Sequence, residues 1–271
     1  MKKELVVKDN ALINASYTLS LVEQRLILLA IIEARESGKG ISADNPLTIH
    51  AENYINVFGV SKSTAYQALK DASRQLFLRE FSYYEPRGKN SRIRITSRWV
   101  SQTGYEDNAA VVELIFAPAV VPLVTQLEKH FTSYDLEQIG GLSSAYAVRL
   151  YEMMVCWRST GKTPAISIEE LRQRLGVLDT EYQRMERFKS RVLDLAVSQI
   201  NEHTDITAKY EQYKRGRSIS GFSFTFKPKH PKLEPKGRLT ITKAQAQEKA
   251  RLGEGWHELY KRLSADFIIS D

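Results

Sequence analysis

The stretch from Ser167 to Phe226 constrains this chain more than any other, because four local patterns follow one another there in a fixed order. Ser167-Ile168-Glu169-Glu170 reads as a capping box, and Ile168, Leu171 and Leu175 form an apolar stripe that stops at Gly176. A longer helix is predicted from about Gln183 to Asn201, with Phe188, Val192, Leu195, Ala196 and Ile200 turned inward. Its other face carries Arg184, Arg187, Ser190, Arg191, Asp194 and Ser198 at spacings of three and four. Ile206, Ala208 and Tyr210 then alternate, Lys214-Arg215-Gly216-Arg217 turns, and Phe222, Phe224 and Phe226 alternate back. Helix, turn, helix and basic hairpin spell a winged helix-turn-helix.

A weaker copy lies upstream. Leu47 and Ile49 predict a short strand, Ala51 to Phe58 a short helix ended by Gly59, and Ser61 the cap of a longer helix with core stripe Ala65, Leu69, Ala72 and Leu76. A hairpin is predicted next, from Phe81 through the tip Pro86-Arg87-Gly88-Lys89 to Ile93, Ile95 and Trp99, with a further strand at Val111 to Phe116. Set beside the C-terminal stretch, this tip matches Lys214 to Arg217, and Ala72 and Leu76 match Ala196 and Ile200. Even the leading helix recurs. Ser20-Leu21-Val22-Glu23 caps an apolar helix to about Arg35, and Ser143 to Arg158 carries Tyr146, Leu150, Met153, Met154 and Trp157. Pattern rather than identity carries the repeat. The expected fold class is α+β, with tandem winged helix-turn-helix domains related by a degenerate internal duplication. The expected divisions are an N-terminal domain at 1–125, a C-terminal domain at 134–228, and a linker with a short helical tail at 229–271. Lys227 to Lys236 is rich in Pro and Lys and reads as extended linker. The segments Thr242 to Leu252 and Gly255 to Leu263 have helical patterns, and this tail reads equally as disordered or as a docking element.

The side-chain inventory argues against catalysis. The five histidines (His50, His130, His203, His230 and His257) show no metal-ligand spacing, and no phosphate-cradling GxxxxGK[ST] loop is present. The single Cys156 sits between Val155 and Trp157 on an apolar helix, where a buried structural thiol is expected, and it points to a reducing compartment. Thirteen tyrosines leave room for a DNA-nicking nucleophile, but that chemistry wants a metal held by clustered histidines. Tyr54, Tyr146 and Tyr151 lie on apolar faces, as core residues do. No cofactor, metal or membrane span is expected, and the charged N-terminus leaves no signal-peptide core, so a cytoplasmic location is expected.

The net charge of +7 points to a polyanionic partner. In a winged helix the second helix fits the major groove, where long donors read base edges and phosphates. Arg184, Arg187, Lys189, Ser190 and Arg191 occupy that place in the C-terminal module. The hairpin tips Lys214, Arg215, Arg217, Arg87 and Lys89 are expected to touch backbone rather than bases. The N-terminal helix offers Lys62, Ser63, Thr64, Gln67 and Lys70 with Tyr66 among them, a mixture that suits either DNA or a protein interface.

Three stretches resemble a known family, the initiator replication proteins of theta-replicating, iteron-containing bacterial plasmids. They are Val7 to Ile13 leading into Leu19 to Leu28, Ser144 to Glu152, and Phe188 to Ala196 continuing to Ile200-Asn201. The resemblance spans roughly Val6 to Lys227. It implies two winged-helix domains, no enzymatic activity, and double-stranded DNA as the substrate. It further implies a monomer that binds origin iterons, helps melt an adjacent AT-rich region and recruits the host initiator and replicative helicase. A dimer, formed through the N-terminal domain, would bind an operator inverted repeat and repress its own gene. A plain transcriptional repressor shares every DNA-binding feature and stays open as an alternative, as does a DNA-nicking replication enzyme.

Overall fold

The computed structural model describes residues 4–88, 91–125, 127, 130–229, 239–247, 256, 259, 263 and 267–270. Met1–Pro228 forms one compact unit and Lys229–Asp271 a second.

The first unit opens with β1 (Leu5–Asp9), the one-turn helix α1 (Asn10–Ile13) and β2 (Ser16–Tyr17). Helix α2 (Leu21–Ser37) then begins at a complete capping box. Ser20 Oγ accepts from Glu23 N at 3.3 Å and Glu23 Oε2 accepts from Ser20 N at 2.6 Å. Gly38 ends it in the left-handed conformation at φ 71°. Every residue from Glu23 to Ile32 is buried, so the apolar face read from the sequence is enclosed on all sides by the chain itself.

The helix-turn-helix of the N-terminal module is α3 (Ala51–Phe58) and α4 (Lys62–Leu76), with β3 (Leu47–His50) before it. Ala65, Leu69, Ala72 and Leu76 are all buried, as the apolar period requires. Ser61 stands at the N-cap, but its hydroxyl bonds the Thr64 hydroxyl at 2.8 Å instead of a backbone N–H. Four strands follow: β4 (Glu80–Pro86), β5 (Arg92–Arg98), β6 (Val100–Glu106) and β7 (Val111–Phe116).

Their pairing corrects the repeat as read from the sequence. The strands β4 and β5 form a hairpin as expected, but they join β2 in a sheet of order β2-β4-β5. Strand β3 pairs instead with β7, in a sheet of order β3-β7-β6. The wing equivalent to the C-terminal one is therefore β6–β7, whose tip runs through Asp107 and Asn108, and Pro86 and Arg87 belong to an additional hairpin. A period of two identifies a strand without naming its partner, which is why alternation alone matched the wrong hairpin.

Next come α5 (Val121–Thr125), β8 (Phe131–Asp135), α6 (Glu137–Gly140) and α7 (Ala145–Val155). Strand β8 returns to pair antiparallel with β1. The C-terminal module has β9 (Ile166–Ser167), α8 (Ile168–Leu175) and one long helix built of three parts. These parts are α9 (Met185–Phe188), a π-helical stretch (Lys189–Asp194) and α10 (Leu195–His203). The wing is β10 (Ile206–Arg215) and β11 (Ser218–Pro228), in a sheet of order β10-β11-β9 that reproduces β6-β7-β3. Half of the expected capping box forms at Ser167. Its Oγ accepts from Glu170 N at 3.2 Å, while the Glu170 carboxylate turns to Arg174 one turn on.

In the second unit β12 (Leu239–Thr242) and β13 (Phe267–Ser270) pair in parallel, α11 (Lys243–Gln247) follows Thr242, and Ala246, Leu259 and Leu263 are buried together. Linker residues 230–238 and most of the expected tail helices lie outside the described residues.

Candidate DNA-binding surface

The long helix of the C-terminal module presents its polar face as a consequence of how its apolar face is anchored. Phe188, Val192, Ala196 and Ile200 are buried at intervals of four, and Leu193 is buried beside them. An interval of four outruns the α-helical turn of 3.6 but suits the wider turn of a π-helix, so the π-helical stretch keeps all four on the core. The same extra residue turns Leu193 inward and leaves Leu195 at 43% exposure, contrary to the inward position that a uniform 3.6 period assigns to Leu195. Arg184 stands at the N-cap, and Arg184, Arg187, Ser190 and Arg191 are exposed together along one side.

The turn between the two helices is braced chiefly by Arg172. Arg172, on α8, donates to the carbonyls of Leu178 (2.8 Å), Glu181 (2.5 Å) and Tyr182 (3.2 Å) and lies 5.3 Å above the Phe188 ring. Tyr182 has φ 43°, a left-handed conformation unusual for a tyrosine, and its ring packs edge-on against Tyr146 at 6.2 Å. Sequence reasoning passed over both Arg172 and Tyr182. The only signal was an arginine on the partly apolar side of a short helix.

The wing is tied to this helix through Tyr210. Its hydroxyl donates to Asp194 Oδ1 at 2.6 Å, and burial together with that bond pushes the phenol well above its ordinary value. Lys189 reaches across to Gln212 Oε1 at 3.1 Å and sits 6.0 Å above the Tyr210 ring, so among the expected contacts of this module's long helix it is the half-buried one. Lys214, Arg215 and Arg217 are exposed at the hairpin tip, where Gly216 takes φ 64°.

The N-terminal module repeats this bracing with different electrostatics. Lys70 lies 5.7 Å above the Tyr105 ring and pairs with Asp107 at the wing tip, at 2.5 Å. Gln67 donates to Asp71 at 3.0 Å, whereas Lys62, Ser63 and Thr64 are exposed at the start of α4. Lys70, Gln67, Tyr66, Tyr105 and Asp107 line an open cleft of about 350 Å³ between helix and wing. Arg87 is exposed on the additional hairpin, away from that wing, and Lys89 lies outside the described residues. The basic groups proposed from the sequence thus stand exposed on the long helix and the wing tip of the C-terminal module, whereas in the N-terminal one they lie on α4 and, at Arg87, on a separate hairpin.

The structure places the other sequence-selected residues as follows. Tyr54 and Tyr151 are buried, and Tyr146 is half-buried with its hydroxyl 3.4 Å from Glu181. Cys156 is half-buried at the end of α7, and burial pushes its thiol up to about 11, away from thiolate reactivity. No helix among the described residues is long and apolar enough to cross a membrane.

Two modules that each set a helix-turn-helix against a three-stranded winged sheet define a tandem winged-helix protein of the DNA-binding class. The chain belongs to the initiator replication protein family: the family's first winged-helix model matches residues 5–155 and its second matches residues 167–226. It is 25% identical over 229 residues to a replication initiation protein of Escherichia coli, covering 83% of this chain and 70% of the relative. Among solved structures, Pi initiator protein in complex with iteron DNA aligns over 85% of this chain and 99% of its own, with TM-score 0.67 and 22% identity. The WH1 domain of MSBI1.176, a replication protein isolated from a multiple sclerosis patient, is 66% identical over 41% of this chain and 81% of its own, with TM-score 0.34.

Proposed function

We propose that this chain initiates plasmid replication by binding directly repeated iterons as a monomer, with both winged-helix modules on the duplex. The observation that carries the reading is the exposed side of the long helix, where Arg184, Arg187, Ser190 and Arg191 stand clear beside a Lys214-Arg215-Gly216-Arg217 wing. A helix of this kind fits the major groove, and its arginines suit guanine edges, while the wing suits phosphates. Family membership and the structure of Pi initiator protein in complex with iteron DNA support the choice of substrate. In this reading the protein binds rather than catalyses. It distorts an adjacent AT-rich segment, brings in the host initiator and helicase, and as a dimer occupies an inverted repeat at its own promoter. Lys62, Ser63, Thr64, Gln67 and Lys70, with Arg87 on the additional hairpin and Lys89 as read from the sequence, form a second, weaker set of contacts in the N-terminal module. The 1–125, 134–228 and 229–271 divisions are the working units of this proposal.

Electrophoretic mobility shift with duplexes from the DNA flanking the gene tests it. Specific binding should fall by roughly three orders of magnitude or more between about 50 and 200 mM salt, as several phosphate contacts require. Salt-insensitive or absent binding would overturn the reading. The gene on an origin fragment should also let that fragment transform a host, which a plain repressor cannot do. Supercoiled origin DNA incubated with protein and divalent metal should stay intact. A covalent tyrosyl-DNA product would sink the non-catalytic reading.

A further inference from the structure

The additional hairpin has a surface that neither winged-helix unit explains. Strand β5 is an edge strand, and Arg92, Arg94, Thr96 and Arg98 alternate along one of its faces, all exposed. Successive members of such a row stand about 6.8 Å apart, so the row from Arg92 to Arg98 is about 20 Å long. Opposite them on β4, in register, lie Pro86, Tyr84, Ser82 and Glu80. The face is pre-organised: Arg92 lies 4.3 Å above the Tyr84 ring, Arg94 reaches Ser82 Oγ at 3.4 Å, and the Ser82 and Thr96 hydroxyls meet at 2.9 Å. Arg98 donates to the Phe77 carbonyl at 2.7 Å, so its guanidinium turns to the end of α4 rather than to Glu80 across the ladder.

The arginines of this face carry charge that no described carboxylate offsets. Lys70, Arg79, Arg149, Arg158 and Arg174 each have a carboxylate partner. Among the described residues none is within ion-pair distance of Arg92, Arg94 or Arg98. Meanwhile the wing of the same module ends in Glu106 and Asp107, which a phosphate backbone would repel. We infer that the outward face of β4–β5 is a docking surface for the phosphate backbone of duplex DNA, taking in the N-terminal module the place that its acidic wing cannot fill. This rests on the reading of the chain as a DNA-binding initiator.

The side chains favour phosphates over bases. Tyr84 is the aromatic group of that face, and its ring is covered by the Arg92 guanidinium, so no free platform is left for stacking unpaired bases. Arg92 and Arg94, planar donors two residues apart on one strand face, suit instead the regular phosphates of one strand of a duplex.

The test compares Arg92→Ala/Arg94→Ala in the full chain with the unaltered protein, by fluorescence anisotropy on specific duplex, unrelated duplex and single strands over a salt series. Both side chains are exposed, and circular dichroism checks that the fold is kept. The salt slope on duplex should drop by about 1.8, the contribution of two phosphates. Between about 50 and 200 mM salt the variant should then lose roughly twelve-fold less affinity than the unaltered chain. Specific and unrelated duplex should weaken together, leaving their ratio unchanged. Thr96→Arg, which lengthens the row, should steepen the slope by about 0.9. An unchanged slope in a protein that binds its duplex normally would overturn this inference alone. So would a loss confined to single strands, or a change in oligomeric state with the slope intact. Absence of salt-dependent binding by the unaltered chain would instead overturn the initiator reading itself.

Discussion

Arg172 secures the turn of the C-terminal helix-turn-helix by giving donors to three carbonyls that no helix can reach. Removing it leaves those groups to water and frees Tyr182 from a left-handed conformation that costs a non-glycine residue about 1–2 kcal/mol. Arg172→Ala should therefore lower unfolding free energy by about 1–3 kcal/mol in denaturant titration. It should also cut affinity for the specific duplex far more than for unrelated DNA, because the long helix loses its entry angle while the charged surface stays. Equal losses on both duplexes would show that Arg172 does not aim the helix. The exposed arginines separate by the same measurement. Arg187→Ala and Arg191→Ala should each cost about 1–3 kcal/mol on the specific site and relax base preference. Arg215→Ala, on the wing, should weaken all duplexes alike and reduce the salt slope by about one.

The long helix shows at the level of an element what apolar spacing can and cannot tell. Its existence, its length and four of its five expected core residues follow from Phe188, Val192, Ala196 and Ile200 in the sequence, and those four are buried. The fifth, Leu195, does not, because the π-helical stretch Lys189–Asp194 breaks the period that assigned it. No local composition marks such a stretch. At its two ends Phe188 packs against Phe222 and Asp194 accepts from Tyr210, contacts across the chain that no local pattern displays. The same limit applies to pairing. Alternation in Phe81 to Trp99 predicts the hairpin that forms, yet β3 pairs with β7, and nothing local marks Asp107 as the tip of the wing. Arg92, Arg94 and Arg98 alternate in the sequence, but alternation does not say that they share the exposed face of an edge strand. The π-helical register makes a sharp expectation. Leu193→Ala should destabilise the chain by about 2–5 kcal/mol, as a fully buried leucine does, whereas Leu195→Ala should cost well under 1 kcal/mol. The reverse order in chemical denaturation would restore a uniform α-helix.

Within the Met1–Pro228 unit the two modules meet along a seam of backbone and buried charge. Ser16 and Thr18 donate to the carbonyls of Gln173 and Gly176, both at 3.3 Å, and Arg174 donates to Asn14 at 2.6 Å. Gly176 has φ 75° and packs against the Tyr17 carbonyl so closely that a Cβ would collide with backbone. Arg149 crosses the same seam, donating to the Ala15 carbonyl (2.8 Å), the Arg174 carbonyl (2.9 Å) and the Tyr17 hydroxyl (2.5 Å). Its charge is balanced by Glu152 at 3.3 Å, which also accepts from Lys8 at 2.6 Å and from Tyr134 at 2.5 Å, with all three charged side chains buried. Burial alone would raise the Glu152 carboxyl, but Lys8, Arg149 and these hydrogen bonds outweigh it and hold the group below its ordinary value. A carboxyl depressed in the folded state adds stability above its unfolded value, about 4.3, and that stability fades as pH falls through the lower folded value. Glu152→Gln should thus destabilise the unit by about 3–5 kcal/mol at neutral pH, since Arg149 is left buried without a counter-ion and Lys8, which burial already holds below its ordinary value, loses the partner that favours its charge. Below about pH 4 the two proteins should converge, as acid removes from the unaltered chain the same charge that the variant already lacks. Denaturant titrations at pH 7 and at several points below pH 4 check this, and a gap that stays constant into acid would exclude Glu152 as the titrating group of the seam.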